Sequence, residues 1–150
     1  MIRRGITLLT ALAGMTPAVG ATQAVDIPKG DPAVVVTALK AQLATQGFTL
    51  DHASKKEAVF SLDRGNVVQN NGMVVHGHLE MHTWFKQIKN TDTLHVTATE
   101  EAVGQATQGM DFRRPIDSPA DVAKLQNLLD FVRTQVMTPD SVAAKRDTTH

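Results

Sequence analysis

The chain has 150 residues, 42% of them hydrophobic and only 4% aromatic, which suits one small domain whose core is filled by aliphatic side chains. Fifteen basic residues balance fifteen acidic ones, so no net field favours nucleic acid or an anionic membrane as a partner. Cysteine is absent, which excludes disulfides, thiolate metal sites, covalent c-type haem and a lipid-modified N-terminal cysteine.

Arg3 and Arg4 precede an apolar run from Ile6 to Met15, then Pro17 and a cluster of small residues, the layout of a secretory signal peptide. Val19 and Ala21 place the cleavage after Ala21, with Ala24 as the alternative. Either cut leaves 13 basic against 15 acidic residues, a formal charge of −2. Gly5, Ile6 and Thr7 do not complete a twin-arginine motif, so general secretion is expected. A secreted chain without disulfides points to the bacterial periplasm. The apolar run falls short of the roughly 20 residues that cross a bilayer, and no later segment approaches that length, so no membrane span is predicted.

After a short polar linker, Asp31 and Pro32 open a helix as N-cap and first helical residue. Val35, Leu39 and Leu43 recur every fourth residue and Gly47 supplies the C-cap. Two strands follow, Phe48 to His52 and Glu57 to Asp63, separated by a polar turn. Asn71-Gly72 reads as a two-residue hairpin turn, because both residue types tolerate positive φ. Pairing Asn70 with Met73 and counting outward sets Val68 against Val75, Ser61 against His82, Leu62 against Met81 and Phe60 against Thr83, with a bulge expected near Gly65.

Met73 to Lys86 is the most informative segment. With a period of two, Val75, Leu79, Met81, Thr83 and Phe85 fall on one face and His76, His78, Glu80, His82, Trp84 and Lys86 on the other. Thr93 to Thr99 forms a fourth strand that adds His95 to the polar face. Glu100 to Asp117 carries Gly104, Gly109 and Pro115 with little periodicity, which predicts a long loop with at most a short edge strand around Met110 to Phe112. Ser118 and Pro119 start a second helix, striped by Val122, Leu125, Leu128, Leu129, Val132 and Val136, and Pro139 ends it. The predicted organisation is a signal peptide over 1–21, a single domain over 31–137 and a polar, disordered tail over 138–150. Two helical stripes and one apolar sheet face must bury each other. The expected fold is therefore α+β, a two-layer sandwich in which a four-stranded antiparallel meander carries an N-terminal and a C-terminal helix on one face. That arrangement is similar in architecture to helix-grip and related small periplasmic modules, and no motif extends the likeness to a family.

The polar face holds the candidate chemistry. Histidines two apart on a strand project from one face about 6.6 Å apart, near enough for both rings to reach one metal ion. His76 and His78 form such a pair, with Glu80, His82 or a cross-strand His95 as further ligands for zinc or copper. His76 and His82 lie roughly 20 Å apart on a regular strand, so one ion cannot collect all four ligands. The register also brings Ser61, His82, Asp63 and Glu80 together, which makes a hydrolase the remotest reading. No Gly-x-Ser-x-Gly elbow surrounds Ser61 and an open sheet lacks an oxyanion hole, so no catalytic residue is assigned. The only tryptophan, Trp84, sits on the polar face and requires a cover. With His82, His95, Arg113 and Arg114 it defines the expected contact surface for an unidentified protein or small ligand, on the sheet face and the 100–117 segment. The leading expectation is a non-catalytic binding module; a zinc- or copper-binding protein is the alternative.

Overall fold

The computed structural model describes residues 21–68, 71–106 and 111–138. The expected signal peptide, apart from Ala21, and the expected tail, apart from Thr138, lie outside the described residues. The elements run in the order β1 (Gln23–Pro28), α1 (Pro32–Ala44), β2 (Thr49–Ala53), β3 (Glu57–Val68), β4 (Val74–Gln87), β5 (Thr93–Ala106), β6 (Asp111–Pro115) and α2 (Pro119–Met137). The fold is α+β with one antiparallel sheet, as expected, but among the described residues the sheet has six strands rather than four. Its order is β1-β5-β4-β3-β2, and β6 pairs with β5 beyond the end of β1.

The two additional strands correct two readings. Residues Gln23 to Pro28 are not a linker: Val25 and Ile27 alternate with exposed Ala24, Asp26 and Pro28, and the segment pairs with β5 from Gln23↔Ala98 to Pro28↔Thr93. Ile27 is buried in the core cluster. The 100–117 segment is not a long loop either, since β5 continues to Ala106 and Asp111–Pro115 returns alongside it. Periodicity failed there because polarity is inverted: Glu100 shares the inner face with Met81, while Val103 lies on the outer face beside Arg113. The expected edge strand exists, centred two residues later, on Arg113 rather than Asp111.

Both helices begin as their caps dictate; Pro139, expected to end α2, lies outside the described residues, which leave the helix at Met137. The Asp31 carboxylate accepts a hydrogen bond from the Ala33 N–H at 3.1 Å, and the Ser118 hydroxyl accepts one from the Asp121 N–H at 3.3 Å. At the end of α1, Gly47 takes φ +92°, and the N–H groups of Phe48 and Gly47 bond to the carbonyls of Leu43 and Ala44. That is the paired C-terminal closure glycine permits. The buried stripes of α1 (Val35, Leu39, Leu43) and α2 (Leu125, Leu129, Val132) meet Phe60, Met81, Phe85, Leu94, Val96 and Ala98 from the sheet.

The β3–β4 register differs from the expected one, with the same faces. Val68 pairs with Val74, Leu62 with Leu79, Phe60 with Met81 and Ser61 with Glu80, whereas His82 faces Val59. Two causes add. Five residues separate Val68 from Val74, and Gly72 alone of Asn71 and Gly72 adopts positive φ, so the connection is not a two-residue turn; Asn70 lies outside the described residues. The register then shifts again between Asp63 and Gly65, at the expected bulge, where Gly65 has φ +68°. A total slip of two restores the original faces.

The inner face has two unequal ends. From Phe60, Met81 and Ala98 toward Phe85 and Leu94 it is sealed by the helices. Toward the β3–β4 connection the apolar floor continues through Leu79, Val75 and Val67, bordered by Phe112, and there Val67 and Phe112 are exposed.

Candidate functional site

Neither helix covers the outer face of the sheet; α1 and α2 both pack on the inner one. The alternation of β4 places His76, His78, Glu80, His82 and Trp84 on the outer face, as the period-two pattern predicts. β5 contributes Thr97, Thr99 and Glu101 to this face, directly opposite Trp84, His82 and Glu80. β6 brings Arg113 to it through the pairing of Val103 with Arg113.

Glu80 and Glu101 are therefore cross-strand partners with like charge, a destabilising arrangement unless a cation joins it. Arg113 is that cation. Its Nη1 donates to Glu101 Oε2 at 2.9 Å and approaches both Glu80 oxygens at 3.4 Å. His78 Nε2 lies 3.5 Å from one Glu80 oxygen and His82 Nε2 lies 3.6 Å from the other. The Glu80 and Glu101 side chains are only 11% and 14% exposed, so both carboxylates are shielded from water although they lie on a face that neither helix covers.

Burial alone would raise the Glu80 carboxyl. The charge and hydrogen bonds of Arg113, then the proximity of His82 and His78, overcome it and hold the group below its ordinary range. Arg113 is likewise partly desolvated, yet its carboxylate partners push its already high pKa further up. The cluster is a fixed ion-pair network at neutral pH.

The expected metal ligands divide between different partners. His76 pairs with Asp63 on β3, Nε2 to Oδ1 at 3.0 Å, on the exposed part of the hairpin. His78 and His82 approach opposite oxygens of Glu80, which is already engaged by Arg113. His95 lies far along β5, against Asp26 of β1. Among the described residues no group of three or more His, Cys, Asp or Glu side chains is arranged to hold one metal ion. Ser61 faces Glu80 instead of His82, so the expected serine–histidine juxtaposition does not form.

Trp84 remains outward and 37% exposed. Its ring stacks on His82, with centroids 5.7 Å apart and planes inclined by 23°. The described parts of the 100–117 segment, residues 100–106 and 111–117, do not cover it, because β6 pairs alongside residues 101–105 of β5, whereas Trp84 faces Thr97. His82 Nε2 is buried and has no hydrogen-bond partner within reach. Of the expected contact residues, Trp84, His82 and Arg113 share one region of the outer face, His95 lies near its β1 edge, and Arg114 is on the inner face opposite Ala102.

Glu101 was not anticipated, and it completes the network. Its signal was available: extending the period of Thr93 to Thr99 by one further step places residue 101 beside His95, Thr97 and Thr99. Arg113 was expected as a contact residue but not as a clamp on two glutamates, since that role needs the β5–β6 pairing. Comparison of the chain with protein-family models, with curated proteins and with solved structures returned no match.

Proposed function

We propose that this chain is a secreted, periplasmic, non-catalytic module that binds a protein through the outer face of its sheet. The observation that carries the reading is the His82–Trp84 stack, partly exposed on a face that neither helix covers and set beside the ordered Glu80–Arg113–Glu101 network. Exposed aromatic surface bordered by fixed charge gives a flat face both binding area and orientation. The charged start, apolar middle and small-residue end of residues 1–21 support export. Cleavage after Ala21 leaves β1 whole, whereas cleavage after Ala24 removes Gln23 and Ala24 from the ladder with β5. That favours Ala21.

Because the chain has no cysteine, Thr97→Cys creates a unique attachment point directly opposite Trp84. A photoreactive maleimide at residue 97 should cross-link a discrete partner in periplasmic extract, and Trp84→Ala should abolish that product. A label at exposed Val34 on α1 serves as the control. Cross-linking from Val34→Cys alone, or a residue-97 product indifferent to Trp84→Ala, counts against the outer face. Export is checked by the N-terminal sequence of the mature protein, expected to begin at Thr22; an uncleaved cytoplasmic chain overturns it.

A further inference from the structure

On the opposite side of the sheet, the uncovered end of the inner face forms a cleft of about 1010 Å³ between the β3–β4 hairpin, β6 and the start of α2. Its floor is apolar: Leu79, Val75 and Val67 continue the core surface beyond the helices, and Phe112 borders it on β6. The register row Gly65–Gly77–Gly104–Phe112 crosses this floor, so three consecutive strands place no glycine side chain above it. The volume is at the upper end of the few hundred to about 1,000 Å³ typical of small-molecule sites.

Two arginines flank this floor. Arg64 lies at the β3 bulge, with its Cβ 3.9 Å from the position a Cβ on Gly77 would take. Arg114 lies on β6 in the row of Leu79 and Ala102. Three strand spacings, roughly 14 Å, separate the two strands. Arg113, next to Arg114 in sequence but on the outer face, engages two carboxylates, but neither Arg64 nor Arg114 forms an ion pair among the described residues. Of the three acids at the cleft, Asp121 is engaged by the Ser118 hydroxyl as part of the α2 cap, Glu100 lies toward the helix end opposite Met81, and Asp117 is exposed ahead of α2 and forms no ion pair with either arginine among the described residues. The floor thus offers apolar surface while its two side walls offer unpaired guanidinium groups, which bind carboxylates and related oxyanions well.

We propose that this cleft binds one free amphiphile of the fatty-acid class, its acyl chain on Leu79, Val75 and Val67 and its anionic head held by Arg64 or Arg114. This goes beyond the outer-face reading, because the two surfaces lie on opposite sides of the sheet.

Isothermal titration of the mature protein with dodecanoate, below its critical micelle concentration, tests it. Saturable one-to-one binding in the micromolar range is expected, at least tenfold tighter than that of dodecyltrimethylammonium, which has the same tail and the opposite charge. Arg64→Gln with Arg114→Gln should weaken dodecanoate at least tenfold while leaving the thermal unfolding midpoint within about 1 °C of wild type. Gly77→Leu, which fills the floor, should block the ligand even with both arginines present. Equal binding of the two amphiphiles, or an unchanged affinity in the double arginine variant, overturns the proposal. So does binding confined to phosphatidylglycerol vesicles, which would make the face a membrane contact. A concentration-dependent dimer in sedimentation that excludes dodecanoate would assign the cleft to a second copy of the chain instead.

Discussion

The two ends of the sheet's inner face have the same alternating construction and very different fates. At one end Phe60, Met81, Val96 and Ala98 are sealed under α1 and α2; at the other Val67 and Phe112 continue the same side of the same strands in contact with water. Alternation assigns a side chain to a face, and only a second layer makes that face a core. The helices are shorter than the area the long hairpin presents. The outer face repeats the lesson in polar form, where alternation leaves Trp84 partly in water beside the ion-pair network.

The largest test of that contrast is a pair of phenylalanine truncations. Phe60→Ala removes a fully buried ring from the centre of the covered end and should cost about 3–5 kcal/mol. Phe112→Ala at the open end, where the ring is partly exposed, should cost less than about 1 kcal/mol. Urea denaturation midpoints measured under one condition decide it. Comparable losses would mean that the open end is covered by something in solution, and the contrast between the ends would fail.

The fold was legible where pattern and burial agree. The stripes of Val35, Leu39 and Leu43 and of Leu125, Leu129 and Val132, the face assignment of β4 and the bulge at Gly65 all follow from local periodicity or a single residue's conformational freedom. β1 was hidden because Val25 and Ile27 are only two apolar positions in a segment next to an expected cleavage site. The second half of β5 was hidden because it places Glu100 inward and Val103 outward, so the hydrophobic period breaks while the ladder continues. For the candidate site, local alternation collected His78, Glu80, His82 and Trp84 on one face. It carried no information on Arg113, which reaches Glu80 from 33 residues away through a strand pairing.

Two glutamates show what burial does with and without a cation. Glu80 is held below its ordinary pKa of 4.5: burial opposes this, and Arg113, His82 and His78 prevail. A lowered folded-state value gives stability that is present above about pH 4.5 and is lost as the pH falls through the folded value. Glu80→Gln should therefore destabilise at pH 7 by about 1–2 kcal/mol, a figure kept modest because Arg113 is half exposed. The difference from wild type should shrink in acid. Glu100, on the inner face at the boundary of the covered end, is raised above 4.5 by burial and by Asp121, with Lys124 opposing. Its penalty is absent below about pH 4.5 and grows as the pH rises through the folded value. Glu100→Gln should then stabilise at pH 7 and match wild type near pH 3.5. Chemical denaturation from pH 3.5 to 7 reads both, and two shifts of the same sign would refute the assignment.

The smallest effects belong to two glycines in one register row at the open end, Gly65 and Gly77. A methyl group on Gly65 meets nothing within 4 Å, but the residue sits at φ +68°, so Gly65→Ala should cost about 1 kcal/mol purely as backbone strain. Gly77 has no such conformation, and a methyl group there meets the Val67 Cγ2 at 3.2 Å. Val67 is exposed and free to turn aside, while alanine is the better strand residue by roughly 0.5–1 kcal/mol, so Gly77→Ala should fall within about 0.5 kcal/mol of wild type. Thermal or urea unfolding of the two variants resolves the difference. If Gly77→Ala proved the more damaging, Val67 would have to be pinned by a layer above it, and the open end would be a covered one.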